Sequence, residues 1–168
     1  MSILIAMTQT EFLVFAEESV PVYAAEKVAS GQWKETDAFA LARKSFEESL
    51  PLGLETPDNH LFTVRDEAAQ VSVGMIWIAV QERADKRIAY LYQVNIKSAH
   101  QRKGHATRAL RALESEVRTL GLSGIALHVF GHNTAAHALY VKLGYLPTNI
   151  NMYKSIEAAG ARVFHRAR

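Results

Sequence analysis

Apolar positions along the chain change their period several times, and each change marks an element. Residues 3–7 are apolar and read as a first strand, after which Thr8 or Thr10 caps a helix carrying Glu11 in its first turn. Pro21 removes a helix donor and clashes with the preceding turn, which predicts a kink or two helices, the second near 22–29 and ended by Gly31. Thr36 and Asp37 start another helix, with an apolar stripe of Phe39, Ala42, Phe46 and Leu50 closed by Pro51 and Gly53. Residues 51–59 read as a loop. Residues 60–65 and 71–80 read as an antiparallel pair, the second so apolar that it is expected to be central and buried on both faces, with Gly74 marking a bulge or a close approach. After a charged turn at 81–87 comes a strand at 88–96, rich in β-branched and aromatic residues.

Ala106, Leu110, Leu113, Val117 and Leu120 then recur at helical spacing, and Gly121 supplies the stop. A short strand at 125–129, a helix at 133–143 ended by Gly144, and a last strand at 145–153 complete the pattern. Antiparallel strands followed by strand, helix, strand, helix, strand predict an α/β (α+β) fold: a mixed, mostly antiparallel sheet with helices on both faces. Residues 1–156 read as one domain and 157–168 as a tail, frayed or docked as a helix.

Between the strand at 88–96 and the long helix lies Gln101-Arg102-Lys103-Gly104-His105-Ala106. The first N–H groups of a helix have no intrahelical partner, and the peptide dipoles add partial positive charge there, so an anion fits. Gly104 and Ala106 allow close backbone approach, Arg102 and Lys103 add full charge, and the backbone N–H of His105 counts whatever its side chain does. A pyrophosphate is the natural ligand. The chain contains neither G-x-x-x-x-G-K-[ST] nor G-x-G-x-x-G, which argues against a nucleoside triphosphatase or a dinucleotide dehydrogenase.

The 168 residues are enough for one well-buried core, and 49% are hydrophobic, which argues against disorder. The net charge of +2 is spread along the chain, so no nucleic-acid partner is expected. The absence of cysteine removes disulfides, thiolate metal sites and an acyl-cysteine mechanism. The apolar start is too short for a secretory signal and no stretch approaches a membrane span, so a cytoplasmic protein without a membrane partner is expected.

Gln101 to Ala106 resembles the pyrophosphate loop [QR]-x-x-G-x-[GA] of the GNAT superfamily of acyl-CoA-dependent N-acetyltransferases. Asn133 to Tyr145 resembles that superfamily's second signature, N-x-x-A-x-x-[LF]-Y-x-K-x-G-[FY], and both occur in the expected order. Residues 1–87 match only in the order of their elements. The resemblance implies an acetyl-CoA cosubstrate, an amine acceptor and direct transfer between them, with no metal, and it implies a fold whose strands corresponding to 88–96 and 125–129 splay apart. Pantetheine would lie along the backbone of Val94 and Ile96 like an added strand. The phosphates would sit on Gln101, Arg102, Lys103, Gly104, His105, Ala106 and Thr107. A homodimer is a further expectation from the superfamily. A catalytically idle acyl-CoA-binding or partner-docking module of the same fold is the competing expectation.

Direct transfer needs a proton for the departing thiolate, and Tyr140 is the candidate acid, though it also falls on the Ala136, Leu139, Leu143 core face of its helix. Asn133 suits both a helix N-cap and a contact to the pantetheine arm. Lys142 reaches either CoA phosphate or water. Some superfamily members carry a glutamate six residues before the position of Ile96, and this chain has Tyr90 there. The amine therefore arrives deprotonated, or passes its proton through water, or uses a base elsewhere, such as Glu26, Glu55 or Asp58. Tyr90 and Tyr92 shape the acceptor pocket or simply pack, and core is the default for Trp77. His128, His132 and His137 lie close in sequence without the spacing of a metal site.

Overall fold

The sheet is organised around a strand buried on both sides. In the computed structural model, which describes residues 2–156, β3 (Val71–Arg83) is buried without a break from Val73 to Ala79. The sheet order is β1 (Ser2–Ala6), β2 (Asn59–Asp66), β3, β4 (Lys86–Ile96) and β5 (Ile125–Leu127). All neighbours run antiparallel except β4 and β5, which are parallel. Helix α1 (Gln9–Ala29) packs beside α2 (Glu35–Ser49), and α3 (His105–Thr119) and α4 (Thr134–Lys142) follow β4 and β5 in the chain.

Alternation along β3 feeds two cores. Val73, Ile76 and Ile78 join Ala109, Leu110, Leu113 and Val117 of α3, together with Tyr140 of α4. Met75 and Trp77 join Phe12 and Phe15 of α1 and pack against Phe46 of α2. Leu110 and Leu113 are fully buried, and each contributes roughly 1.5–3 kcal/mol by leaving water. A capping box starts α1: the Glu11 backbone N–H donates to Thr8 Oγ1 at 3.3 Å, and the Thr8 N–H donates to Glu11 Oε2 at 2.9 Å.

Two irregularities shape β4. Trp77 pairs with Gln93 and Ile78 with Leu91, so Tyr92 is an extra residue, a bulge that bends the strand. The parallel pairing of β4 with β5 covers only Ala89–Ile125, Tyr90–Ala126 and Leu91–Leu127, and it stops where the bulge begins. The two strands therefore splay, as the family resemblance implies.

Gly74 combines both expected roles. It neighbours a register shift against β2, and a Cβ placed on it would lie 2.2 Å from the Asn95 carbonyl oxygen. Neither backbone can yield easily. Gly74→Ala is expected to destabilise the fold by roughly 1–3 kcal/mol in denaturant unfolding; an unchanged midpoint would show that β4 is free to move there.

Several expectations change. Helix α1 is continuous through Pro21 and does not divide in two, which leaves only the kink of the two alternatives; the carbonyl that loses its partner belongs to exposed Glu17, while Phe15, Val20 and Ala24 hold the helix on either side. Phe39 is exposed, and the buried stripe of α2 runs instead through Ala38 and Ala42. The strand expected at 145–153 does not form: the stretch is irregular, and Leu146, Ile150, Met152 and Tyr153 are exposed. Pro147 lacks a donor, and β5 is too short to template a long partner. The tail assigned to 157–168 lies outside the described residues.

Candidate active site

Gly104 stands at the N-cap of α3 with φ +80°, a left-handed conformation that glycine adopts without strain. Arg102 is also left-handed, at φ 61°. No side chain caps the helix, and the N–H groups of its first turn, at His105, Ala106 and Thr107, point out of its N-terminal end as at any helix start. The loop is fastened from behind. The Gln101 side-chain amide donates to the Ile96 carbonyl at 2.8 Å, tying loop to strand, and Lys103 Nζ donates to the Ala99 carbonyl at 2.9 Å. Gln101 thus positions the loop, while Arg102 is exposed and available to an anion.

The His105 side chain turns inward and is only 4% exposed, with Asp66 Oδ2 3.8 Å from its Nε2. Burial first, then the neighbouring Arg108 guanidinium, hold its imidazole below the usual histidine range; Asp66 acts the other way, and His100 and Lys103 add to the lowering. The unfolded chain therefore takes up a proton at a higher pH than the folded one, so stability is intact above the unfolded value of about 6.5 and falls as pH drops below it. Urea unfolding is expected to show this decline, and His105→Gln to lessen it. An identical slope in the variant would contradict the assignment.

Arg108 is a residue that sequence reading missed. Its guanidinium lies back across the loop, with Nη2 donating to the Lys103 carbonyl at 3.0 Å and Nη1 2.8 Å from where a Cβ on Gly104 would stand. The signal was present, for a basic residue four positions after the glycine returns to the same helix end.

At the splayed opening the direction of the backbone groups follows from alternation. The Lys97 N–H donates to the Val73 carbonyl on β3, and the Asn95 carbonyl also points that way, so the groups of Val94 and Ile96 point away from β3, toward the side where β5 has departed. The Ile96 carbonyl meets Gln101 there. These are the two residues that an extended cosubstrate arm was expected to follow.

From the other side, the Asn133 side chain caps α4 by accepting the Ala136 N–H at 3.2 Å. Tyr140 is 9% exposed and packs its ring 5.5 Å from that of Tyr145. Burial pushes the Tyr140 phenol above its usual range, and its hydroxyl bonds to no described residue. Tyr145, partly buried, is pushed up to about 12, mainly by burial of its phenol and then by Glu114 and Tyr140. Lys142 is exposed on the last turn of α4, where its charge opposes the negative helix end.

The candidate bases separate clearly. Glu55 is exposed in a 3₁₀ turn (Gly53–Glu55), and Asp58 Oδ1 is 3.5 Å from Arg87 at the start of β4. Glu26, on α1, places Oε2 2.6 Å from Nε2 of His132, beside Asn133, a contact spanning 106 positions in sequence. Tyr90 and Tyr92 lie 5.0 Å apart, and Trp77 stacks on Tyr92 at 4.5 Å, with its indole N–H donating to Asn59 Oδ1. Tyr90's phenol is pushed up by burial, then by Tyr92 and Tyr23. Among the described residues no three histidine or acidic side chains converge to hold a metal ion, and no helix is long and apolar enough to cross a membrane.

The sequence profile of the Acetyltransferase (GNAT) family matches residues 22–145. The chain is 34% identical to a Bacillus subtilis protein named as the uncharacterized N-acetyltransferase YycN, over 93% of this chain and all of that one. It is 33% identical to a second, YdgE of the same organism, over 89% of this chain and 95% of its relative. The crystal structure of YycN superposes with a TM-score of 0.89, covering 94% of this chain and 100% of its own. A complex of AAC(6')-Iy with a CoA-S-monomethyl-acetylneamine bisubstrate analogue shares the fold, with a TM-score of 0.61, 12% identity and coverage of 94% and 99%. On this match of profile, relatives and architecture, the chain belongs to the GNAT family of acetyltransferases.

Proposed function

We propose that the protein moves an acetyl group from acetyl-CoA to a primary amine by direct attack. The observation that carries this reading is the opening between β4 and β5: β4 runs five residues past its last pair with β5 and ends at the Gly104 cradle. Strand edge and anion cradle together fit a molecule with an extended amide-bearing arm and a pyrophosphate. A protein of the same fold is described in complex with a CoA-containing bisubstrate analogue, which is in keeping with a CoA-linked ligand for this fold.

Acetyl-CoA supplies the activated thioester. The residues of the chain supply position and protons. Backbone N–H groups from His105 to Thr107 would hold phosphate oxygens, with Arg102 and Arg108 adding charge. Val94 and Ile96 would align the arm, as a strand edge aligns a peptide. Tyr140, kept protonated by burial, would donate its proton to the thiolate as the C–S bond breaks and the N–C bond forms. Glu26 with His132 would accept the proton that the ammonium must lose before attack. Amine and thioester become amide and free thiol: the first nitrogen proton leaves through the pair, and the second, lost as the amide forms, would restore the Tyr140 phenol.

The test is to incubate the protein with acetyl-CoA and a panel of amines, following the free thiol and the N-acetyl product by mass. Amine-dependent appearance of both is expected. Acetyl-CoA binding without product from any amine would favour an idle acyl-CoA-binding module.

A further inference from the structure

Lys27 is held by three aromatic rings and a side-chain amide, and its surroundings resemble a ligand site more than a surface pairing. Its Nζ lies 5.4 Å from the Tyr23 ring centroid, 5.5 Å from Trp33 and 5.8 Å from Phe130, and it donates to Gln32 Oε1 at 2.8 Å. One significant cation–π contact is expected per 70–80 residues or so, and three rings on a single ammonium form the cage by which proteins recognise alkylammonium groups.

The backbone builds this cage. Gly31, at φ 73°, turns the chain after α1 so that the N–H groups of Gln32 and Trp33 both donate to the Lys27 carbonyl, at 3.0 and 3.3 Å. That turn brings Trp33 edge-on to Tyr23, with centroids 5.5 Å apart. The third wall comes from the other side of the opening. Phe130 lies three residues past the last paired residue of β5 and stacks on His132, which Glu26 anchors to α1. Tyr23 also stands close to Tyr90, which pairs with Ala126 at the closed end of the splay.

We propose that the cage of Tyr23, Trp33, Phe130 and Gln32 is the subsite for the acceptor, that its preferred ligand is a primary ammonium on an unbranched alkyl chain, and that Lys27 is an internal stand-in which the acceptor displaces. The assignment of an acceptor rests on the acetyl-transfer reading; the binding of an ammonium does not. Lys27 offers the same group that it mimics, an ammonium on a four-carbon stem, and that stem is flexible enough to swing out. The neighbouring Glu26 and His132 would then stand where the bound ammonium loses its proton.

The test uses the full chain without acyl-CoA. n-Butylammonium chloride is titrated into the wild type, Lys27→Ala and Lys27→Met, following the indole N–H signal of Trp33 by NMR, assigned with Trp33→Phe; 1-butanol is the uncharged control. Both Lys27 variants are expected to show a saturable shift at about tenfold lower butylammonium than the wild type, since the competitor is gone, with none from butanol. Equal concentrations in all three proteins, an equal effect of butanol, or no shift would overturn the proposal. Loss of the folded spectrum in both variants would make Lys27 a structural pin and overturn it too. With acetyl-CoA added, the variants are expected to lower KM for butylamine about tenfold with kcat little changed. A saturable shift without transfer would contradict the acetyl-transfer reading alone, and transfer without the shift would contradict the cage alone.

Discussion

Tyr140→Phe is expected to lower turnover about 10²–10⁴-fold while acetyl-CoA still binds, the range attributed to a positioned general acid. Phenylalanine keeps the ring that packs against Tyr145 and the α3 core, so the fold should persist. What is lost is a hydroxyl that bonds to no described residue and that burial keeps protonated at neutral pH. Thiol release with a saturating amine reads the rate, and a thermal shift with acetyl-CoA reads the binding. An unchanged rate would place the acid elsewhere.

Gly104→Glu is expected to weaken acetyl-CoA by about a hundredfold or more. A side chain at φ +80° costs about 1–2 kcal/mol of backbone strain. Its Cβ would push against the Arg108 guanidinium, which can move, and its carboxylate would stand where the phosphates are expected. Losing two charge-assisted hydrogen bonds, at roughly 1.5–3 kcal/mol each, accounts for the hundredfold. Calorimetric titration measures it. In the wild type, acetyl-CoA at a hundredfold excess over its Kd should add about 2.7 kcal/mol of stability, and in the variant at the same concentration most of that should vanish. Equal affinities would mean that the phosphates bind away from this loop.

The parts of the molecule governed by local chemistry were legible in the sequence. The loop before α3 needs glycine at one backbone position and a free helix start, and both are written within six consecutive residues. Asn133 as a cap follows from residue type, and a threonine cap at Thr8 or Thr10 was legible too, with the structure choosing Thr8 and pairing it with Glu11. The continuous burial of β3 follows from its unbroken apolar run.

What depended on distant partners was not legible. Pro21 reads as a kink or a division into two helices, and which of these follows depends on where the stranded carbonyl points and on what grips the turns on either side. Phe39 reads as core because it is large and apolar, yet the close approach of α1 and α2 is made by the small Ala38 and Ala42. Residues 145–153 have the apolar content of a strand, but a strand needs a free edge of matching length. Neither the Tyr92 bulge that opens the sheet nor the meeting of Glu26 with His132 leaves any mark in a local pattern, because each is fixed by pairing across the fold.

The most direct test of the central claim is to titrate acetyl-CoA into the isotopically labelled protein and follow the backbone amides. The account predicts saturable shifts at Val94 and Ile96 on β4 and at Gly104, His105, Ala106 and Thr107 in the loop, with the same midpoint for strand and loop. No saturable shift, or shifts confined to other residues while these amides stay still, would contradict it.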